Sequence, residues 1–315
     1  MKLIIQIPCY NEEKTLHLTY MDLPKHIQGI DEIEVLVVDD GSTDKTSELA
    51  ETIGVNHIIR FKNNKGLAKA FEAGIHKALE LGADIIVNTD GDNQYSGADI
   101  EKLVRPILNE EADVVIGDRQ TDSIAHFSFL KKRMQKFGSF VIRKLSKTEV
   151  KDVVSGFRAY SRETAMKINI ATDFSYTIEN VIQLGFLQAK VISVPVETNK
   201  QLRKSRLFKN PCSFISQQLI TIIRAYANYK AIRVFTILGI LIMIPGIAGF
   251  VRFLYFYFKE GGEGHIQSLI FSTAFLNGGL LILMIGIIAD LISTNRKLLE
   301  KLLEFNKKDK WNKTS

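Results

Sequence analysis

Apolar and polar positions along the first half of the chain follow two alternating rhythms. Short apolar runs at Leu3–Ile7, Glu34–Val38, Ile85–Val87 and Val114–Ile116 predict buried strands. Between them, Glu13–Met21, Asp44–Ile53, Leu67–Leu81 and Ala98–Leu108 carry helical spacing, and Ser96 with Asp99 three residues on has the form of a helix-capping pair. Strand and helix in turn predict an α/β fold, a mostly parallel sheet flanked by helices. From Val234 the pattern changes. Val234–Val251 and Ile266–Ala289 hold no charged residue, and each is near the ~20 residues needed to cross a hydrocarbon core. Pro245 and the glycines are tolerated in such helices, and the aromatic run Phe253–Phe258 suits a membrane interface. Past the aromatic run, only Lys259–His265 separates the two runs, which predicts a transmembrane hairpin.

Charge orients that hairpin. Arg224, Lys230 and Arg233 precede it and Arg296, Lys297, Lys301, Lys307, Lys308 and Lys310 follow it, whereas the turn holds Lys259 alone, with Arg252 near the end of the first span. The positive-inside rule places both chain ends and the α/β part in the cytoplasm. The expected organisation is an α/β domain over 1–207, an interfacial amphipathic helix over 208–233, the hairpin over 234–293 and a basic cytoplasmic tail over 294–315. Ser128–Leu145 reads as a further basic amphipathic helix, either an ordinary surface helix or one lying on a membrane. The opening MKLIIQIP is too short for a signal peptide. Two cysteines, Cys9 and Cys212, imply no disulfide framework. The net charge of +6 matches an anionic membrane surface. With neither zinc-finger spacing nor an RNA-binding aromatic motif, no nucleic-acid partner is expected.

The chemistry gathers where strands end. IPCYNEE follows the first strand, VDDGSTD the second, TDGDNQY the third clear one and GDR the next. Ligands of such sheets bind at the carboxyl ends of strands, and several acidic loops converging there suit a cation or a sugar. Neither a Walker-type phosphate loop nor a G-x-G-x-x-G turn is present, so any nucleotide is held by another kind of loop. Asp90, Asp92 and Gln94 are hard oxygen donors, suited to Mg2+ or Mn2+ rather than zinc. A shared cation would offset the repulsion between the two acids.

Together these loops resemble the family 2 glycosyltransferases of the GT-A fold, and more closely the polyprenyl- or dolichyl-phosphate sugar synthases; the likeness runs from Ile7 to about Leu207. The resemblance implies a membrane-bound enzyme moving a monosaccharide from a UDP- or GDP-sugar to a polyprenyl phosphate, metal-dependent and inverting. It places Pro8, Tyr10, Glu12, Asp39, Asp40 and Lys69, with Asn64 and Gly66, at the nucleotide, and Asp90 there and at the metal with Asp92 and Gln94. It gives Arg119 a diphosphate-facing role and puts SGFRAYSRE, with Arg158, near the acceptor phosphate. The family's R-x-x-G-x-S-K segment is KQLRKSRL here: Ser205 and Arg206 fit, while Lys200 stands for Arg and Arg203 for Gly. Arg119, Lys131, Arg133, Arg158, Arg203 and Arg206 are the cations available to guide an anionic lipid phosphate, and Glu179 is a base or an acceptor-orienting group. The implied partners are the nucleotide sugar, the lipid acceptor and membrane lipids, with homo-oligomerisation left open. A processive polysaccharide synthase and a non-catalytic membrane scaffold are the alternatives; the first usually carries Q-x-x-R-W, and the only tryptophan here is Trp311 in the tail.

Overall fold

The structure, a computed structural model, describes residues 1–120, 140, 142–170, 176–199, 211–261 and 266–312, with backbone alone for 211–229, 260, 310 and 312. The chain forms two compact units, Met1–Ile222 with Leu302–Ser315, and Ile223–Lys301.

The first unit is built on seven described strands: β1 Lys2–Cys9, β2 Glu32–Asp39, β3 His57–Arg60, β4 Ile85–Asn88, β5 Val114–Asp118, β6 Arg158–Ser161 and β7 Val191–Pro195. Their order in the sheet is β3-β2-β1-β4-β6-β5-β7. Every pairing is parallel except those of β6, which runs antiparallel to both β4 and β5. The helices of this unit are α1 Leu16–Asp22, α2 Thr46–Thr52, α3 Leu67–Glu80, α4 Ile100–Leu108, α5 Arg162–Lys167 and α6 Tyr176–Phe186. Residues 3–9 of β1 are all buried, as a central strand covered on both faces requires. Ile100, Leu103, Val104 and Ile107 form one buried stripe along α4. At ~1.5–3 kcal/mol for each fully buried aliphatic side chain, that stripe contributes on the order of 6–12 kcal/mol before entropy is set against it. Truncating Leu103 to Ala should cost about 2–5 kcal/mol.

Gly66 enters α3 with φ 91°, a left-handed conformation that a side chain would strain. The expected Ser96–Asp99 cap is not made. Asp99 instead accepts from the Glu197 amide and pairs with Lys102, because the chain leaving β7 passes close by.

The second unit is helical. Helix α7, Pro211–Glu260, departs from helical geometry at Lys230, close to the expected junction of amphipathic helix and span. Helix α8 runs Ile266–Asn312. Lys230–Lys259 and Ile266–Asp309, 30 and 44 residues, are long and apolar enough to cross a membrane. Glycines let the two helices touch, as small residues do in bilayer packing: a Cβ on Gly246 would lie 3.0 Å from the Ser272 carbonyl oxygen and from the Leu276 nitrogen. Ile237, Leu241, Ile270 and Leu281 remain exposed on the outside.

Within the first unit, the end of α8 packs on the α/β core. Trp311 is buried with its ring 6.0 Å from that of His76 on α3. The Lys307 ammonium donates to the carbonyls of Met166 (3.3 Å) and Ile168 (3.4 Å) and to Asn169 Oδ1 (3.3 Å), at the end of α5.

Candidate active site

In the sheet, β1 lies between β2 and β4, so the loops leaving β1 and β4 diverge and open a crevice at their carboxyl ends. This is where open α/β sheets bind ligands. The loops are in contact at their roots: a Cβ on Gly91 would lie 2.8 Å from Cys9 Sγ and 3.3 Å from Glu12 Cγ. Only glycine permits that approach.

The β1, β2 and α3 loops form one wall. The Asn11 amide donates to Ser42 Oγ (2.9 Å), and Asn11 Oδ1 accepts from the Thr43 amide (2.8 Å). The Glu12 amide donates to Thr46 Oγ1 (2.8 Å), while its carboxylate accepts from Thr15 Oγ1 (2.7 Å). Asp39 is fully buried and accepts from the Ser42 amide (2.8 Å) and the Ser47 hydroxyl. Asp40 accepts from the amides of Lys65 (2.7 Å) and Gly66 (2.9 Å), which ties the entrance of α3 to the end of β2. Burial holds its carboxyl above the usual range, against the pull of those two donors. Gly41 closes the wall, since a Cβ there would meet the backbone of Asn63 at 2.5 Å. Pro8 is buried within β1, whereas Tyr10 is 38% exposed. Lys69 pairs with Glu72 at 3.1 Å, one turn inside α3.

The opposite wall carries the D-x-D loop. Asp92 Oδ1 accepts from the Gln94 amide (3.2 Å), an Asx-type turn. The Gln94 carbonyl accepts from the Asn199 amide (2.9 Å). Asp90 lies against the S-G-F-R segment: a Cβ on Gly156 would come within 3.0 Å of Asp90 Oδ1 and 3.4 Å of its Oδ2. Arg119 is gripped by Asp152, Nε to Oδ2 at 2.7 Å and Nη2 to Oδ1 at 3.1 Å, and its side chain is only 11% exposed. Burial works against the guanidinium charge, yet Tyr95, Asp152 and Asp90 together raise its pKa. Arg119 therefore sets a positive charge against Asp90 before any ligand arrives.

Other expected site residues stand further back. Arg158 is fully buried, with Nε on Ser155 O, Nη1 on Asn180 Oδ1 and Nη2 on Val153 O, each at 2.8 Å. Its charge is spent on shaping the 153–155 turn beneath Gly156. Glu179 is buried in the first turn of α6, not exposed on its surface. Lys131, Arg133, Lys200, Arg203, Ser205 and Arg206 lie outside the described residues. Sequence reasoning does not single out Asp152, Asn88 or Tyr176. Asp152 stands alone in KDVVSGFR, and Asn88 reads as the polar end of an apolar run.

Among the described residues, no three His, Cys, Asp or Glu side chains gather as a metal cage. Two carboxylates are what the D-x-D loop offers. That donor set fits Mg2+ or Mn2+, which is commonly held by one or two carboxylates and completed by substrate phosphates and water.

Residues 4–168 match the family model described as Glycosyl transferase family 2. The chain belongs to that family. It is similar to a UDP-N-acetylglucosamine–dolichyl-phosphate N-acetylglucosaminyltransferase of Methanococcus voltae, 34% identical over 51% of this chain and 70% of the relative. It is also similar to an undecaprenyl-phosphate mannosyltransferase of Micrococcus luteus, 27% identical over 66% of this chain and 88% of the relative. Among solved structures, glucosyl-3-phosphoglycerate synthase of Mycobacterium tuberculosis, bound to Mn2+, uridine diphosphate and its product, superposes with a TM-score of 0.56. At 19% identity, over 72% of this chain and 80% of that one, it shows a shared GT-A fold. This family 2 chain is a glycosyltransferase by membership, and the crevice between the β1 and β4 loops is its candidate active site.

Proposed function

We propose that the protein transfers one monosaccharide from a UDP- or GDP-sugar to a polyprenyl phosphate at a cytoplasmic membrane face. The observation carrying this reading is the contact of Asp90 with Gly156, which joins the expected donor-diphosphate loop to the expected acceptor loop beside Arg119. The relatives that act on dolichyl or undecaprenyl phosphate support the acceptor class. The two long apolar helices supply a bilayer anchor suited to a lipid substrate.

The Asp40-braced wall, with Tyr10 above it, receives the nucleoside. Asp90 and Asp92 would hold the divalent cation, which would supply charge neutralisation to the diphosphate leaving group. Arg119, kept in one orientation by Asp152, faces the phosphates; Lys200, Arg203, Ser205 and Arg206 are the further candidates at the acceptor phosphate. A lipid phosphate is already anionic. One of its oxygens attacks the anomeric carbon from the face opposite the diphosphate, the new carbon–oxygen bond forms as the old one breaks, and the nucleoside diphosphate leaves with both bonding electrons. No strong general base is needed, so Glu179 serves to shape the acceptor side.

The test is direct. Purified protein given radiolabelled UDP- and GDP-sugars with undecaprenyl or dolichyl phosphate should yield an organic-soluble, mild-acid-labile product only when Mg2+ or Mn2+ is present. A water-soluble polysaccharide, or no transfer to any lipid phosphate, would overturn the reading.

A further inference from the structure

Beneath Asp90 lies a buried polar cluster that the sequence does not advertise. Asn88, the last residue of β4, stands two positions before Asp90 and has no exposed surface. Its Nδ2 donates to the Gly156 carbonyl (2.8 Å) and to the Tyr176 hydroxyl (3.1 Å). Tyr176 in turn donates to the same Gly156 carbonyl (3.4 Å). Asn88 Oδ1 accepts from Gln6 Nε2 (2.9 Å) of β1. The donor count closes: both amide hydrogens are used, the phenol accepts one bond and gives one, and the carbonyl accepts two. The opposite carboxamide orientation would set two carbonyl oxygens face to face.

Gly156 is held from its other side as well. Its amide donates to the Tyr95 hydroxyl (3.3 Å), and Tyr95 belongs to the D-x-D loop and stacks on Phe157 at 4.8 Å. Burial pushes the Tyr95 phenol up to about 12, so it remains a neutral hydroxyl. Tyr176 itself is 1% exposed and stacks on Phe71 of α3, rings 3.9 Å apart and 10° from parallel. A Cβ on Gly156 would lie 3.2 Å from the Tyr176 hydroxyl and 3.0 Å from Asp90 Oδ1. Gly156 therefore sits between the phenol and the metal-facing carboxylate, its peptide bonded on both sides.

We propose that Tyr176 is a positioning residue for the cation site, its hydroxyl fixing the Gly156 peptide and the end of β4 so that Asp90 keeps the place from which it binds metal. Asn88 is its partner in this role. The inference rests on the reading of Asp90 and Asp92 as the cation's ligands. It adds a phenol that touches neither cation nor substrate yet sets the affinity of the site, and it links the acceptor-side loop and α3 to one buried group. Groups that orient metal ligands typically change metal affinity by about 10–100-fold when removed.

The experiment measures binding, not turnover. Full-length protein in detergent is titrated with Mn2+ in saturating UDP or GDP, and free Mn2+ is read from its electron paramagnetic resonance signal. Tyr176→Phe keeps the ring and its stacking and should weaken Mn2+ binding about tenfold or more. Gly156→Ala keeps the hydroxyl but pushes a methyl group onto Asp90, and should weaken it likewise. Tyr160→Phe is the control for loss of a buried phenol: Tyr160 donates to Asn180 Oδ1 at 3.0 Å, away from Asp90. That variant should melt earlier yet bind Mn2+ as the parent does. Tyr176→Phe with unchanged Mn2+ affinity, or equal weakening in Tyr160→Phe, would overturn the proposal. A parent protein that binds neither nucleotide with Mn2+ would overturn the cation reading, and the proposal with it. Should Tyr176→Phe fail to fold, Asn88→Ala, which removes the donor to both the Gly156 carbonyl and the Tyr176 hydroxyl, is judged by the same criterion.

Discussion

The Arg119–Asp152 pair offers a test in which stability and catalysis part company. Both partners are largely buried, 11% and 3% exposed, and two hydrogen bonds join them. Asp152→Leu leaves a guanidinium in that setting with Asp90 still nearby. Removing one partner of a buried pair costs about 3–5 kcal/mol, because the survivor is left uncompensated. Arg119 keeps 11% of its side chain exposed, which puts the expected cost near the lower bound, about 3 kcal/mol. For a unit of this size, at about 2–4 °C per kcal/mol, the melting temperature should fall by about 6–12 °C. Arg119→Met should cost a similar amount by stranding Asp152. The double variant Arg119→Met/Asp152→Leu removes both charges and fills the space with apolar atoms. It should recover most of the loss, giving a coupling energy of at least about 1.5 kcal/mol in the double-mutant cycle. Transferase activity should stay lost in all three, by about a hundredfold or more if Arg119 faces charge that develops in the transition state. The assay is one thermal melt and one lipid-transfer measurement per protein at a fixed scan rate. An active double variant would remove Arg119 from the chemistry. Purely additive losses would show that the two side chains do not pair in solution.

Three further outcomes follow from the same geometry. Asp92→Asn keeps an oxygen for the Gln94 amide but removes a charge from the cation site; transfer should fall on the order of a hundred- to a thousandfold with folding intact, and full activity in chelator would refute the metal reading. Asp40, whose carboxyl is held above 3.8 by burial, binds its proton more tightly in the folded than in the unfolded chain. Its contribution to stability therefore falls as pH rises from 3.8 through the folded pKa. The melting-temperature difference between Asp40→Asn and the parent should move in the variant's favour across that window and stay flat above it; a flat difference throughout would count against the burial argument. In intact cells, a cysteine replacing Gly261 in a background lacking Cys9 and Cys212 should react with an impermeant reagent, while one replacing Lys310 should not. The reverse pattern would invert the proposed topology.

Much of this architecture is written in short-range pattern. The runs at Leu3–Ile7, Glu34–Val38, Ile85–Val87 and Val114–Ile116 all lie within strands, and the four helical stretches match α1 to α4 to within a few residues. Strands β3, β6 and β7 escaped because pattern does not carry them. β6 is four residues long and begins with an arginine, a residue whose burial makes sense only once Asn180 and the 153–155 turn are in place. Its antiparallel direction follows from where the chain has come from, not from its composition. The same divide runs through the site. Asp90 and Asp92 are legible because they sit at a strand end in a loop of known form. Asp152 is not, since its partner lies 33 residues away, and neither is Tyr176, 88 residues from Asn88. Ser96 and Asp99 have the spacing of a cap, but the approach of Glu197 claims Asp99 first.

The chain leaves its first compact unit at Ile222 and rejoins it from Leu302. An insertion in that position imposes an order on biosynthesis. Domains fold as units while the ribosome is still at work, but here the last strokes of the α/β unit, Lys307 at the end of α5 and Trp311 beside His76, emerge only after both apolar helices have been made. A nascent chain stalled before Leu302 would carry an α/β unit without those contacts. Completion of the α/β unit is thereby tied to the synthesis of both apolar helices. The one tryptophan of the sequence stands at that final contact, and its emission during translation in the presence or absence of membranes would time the last step.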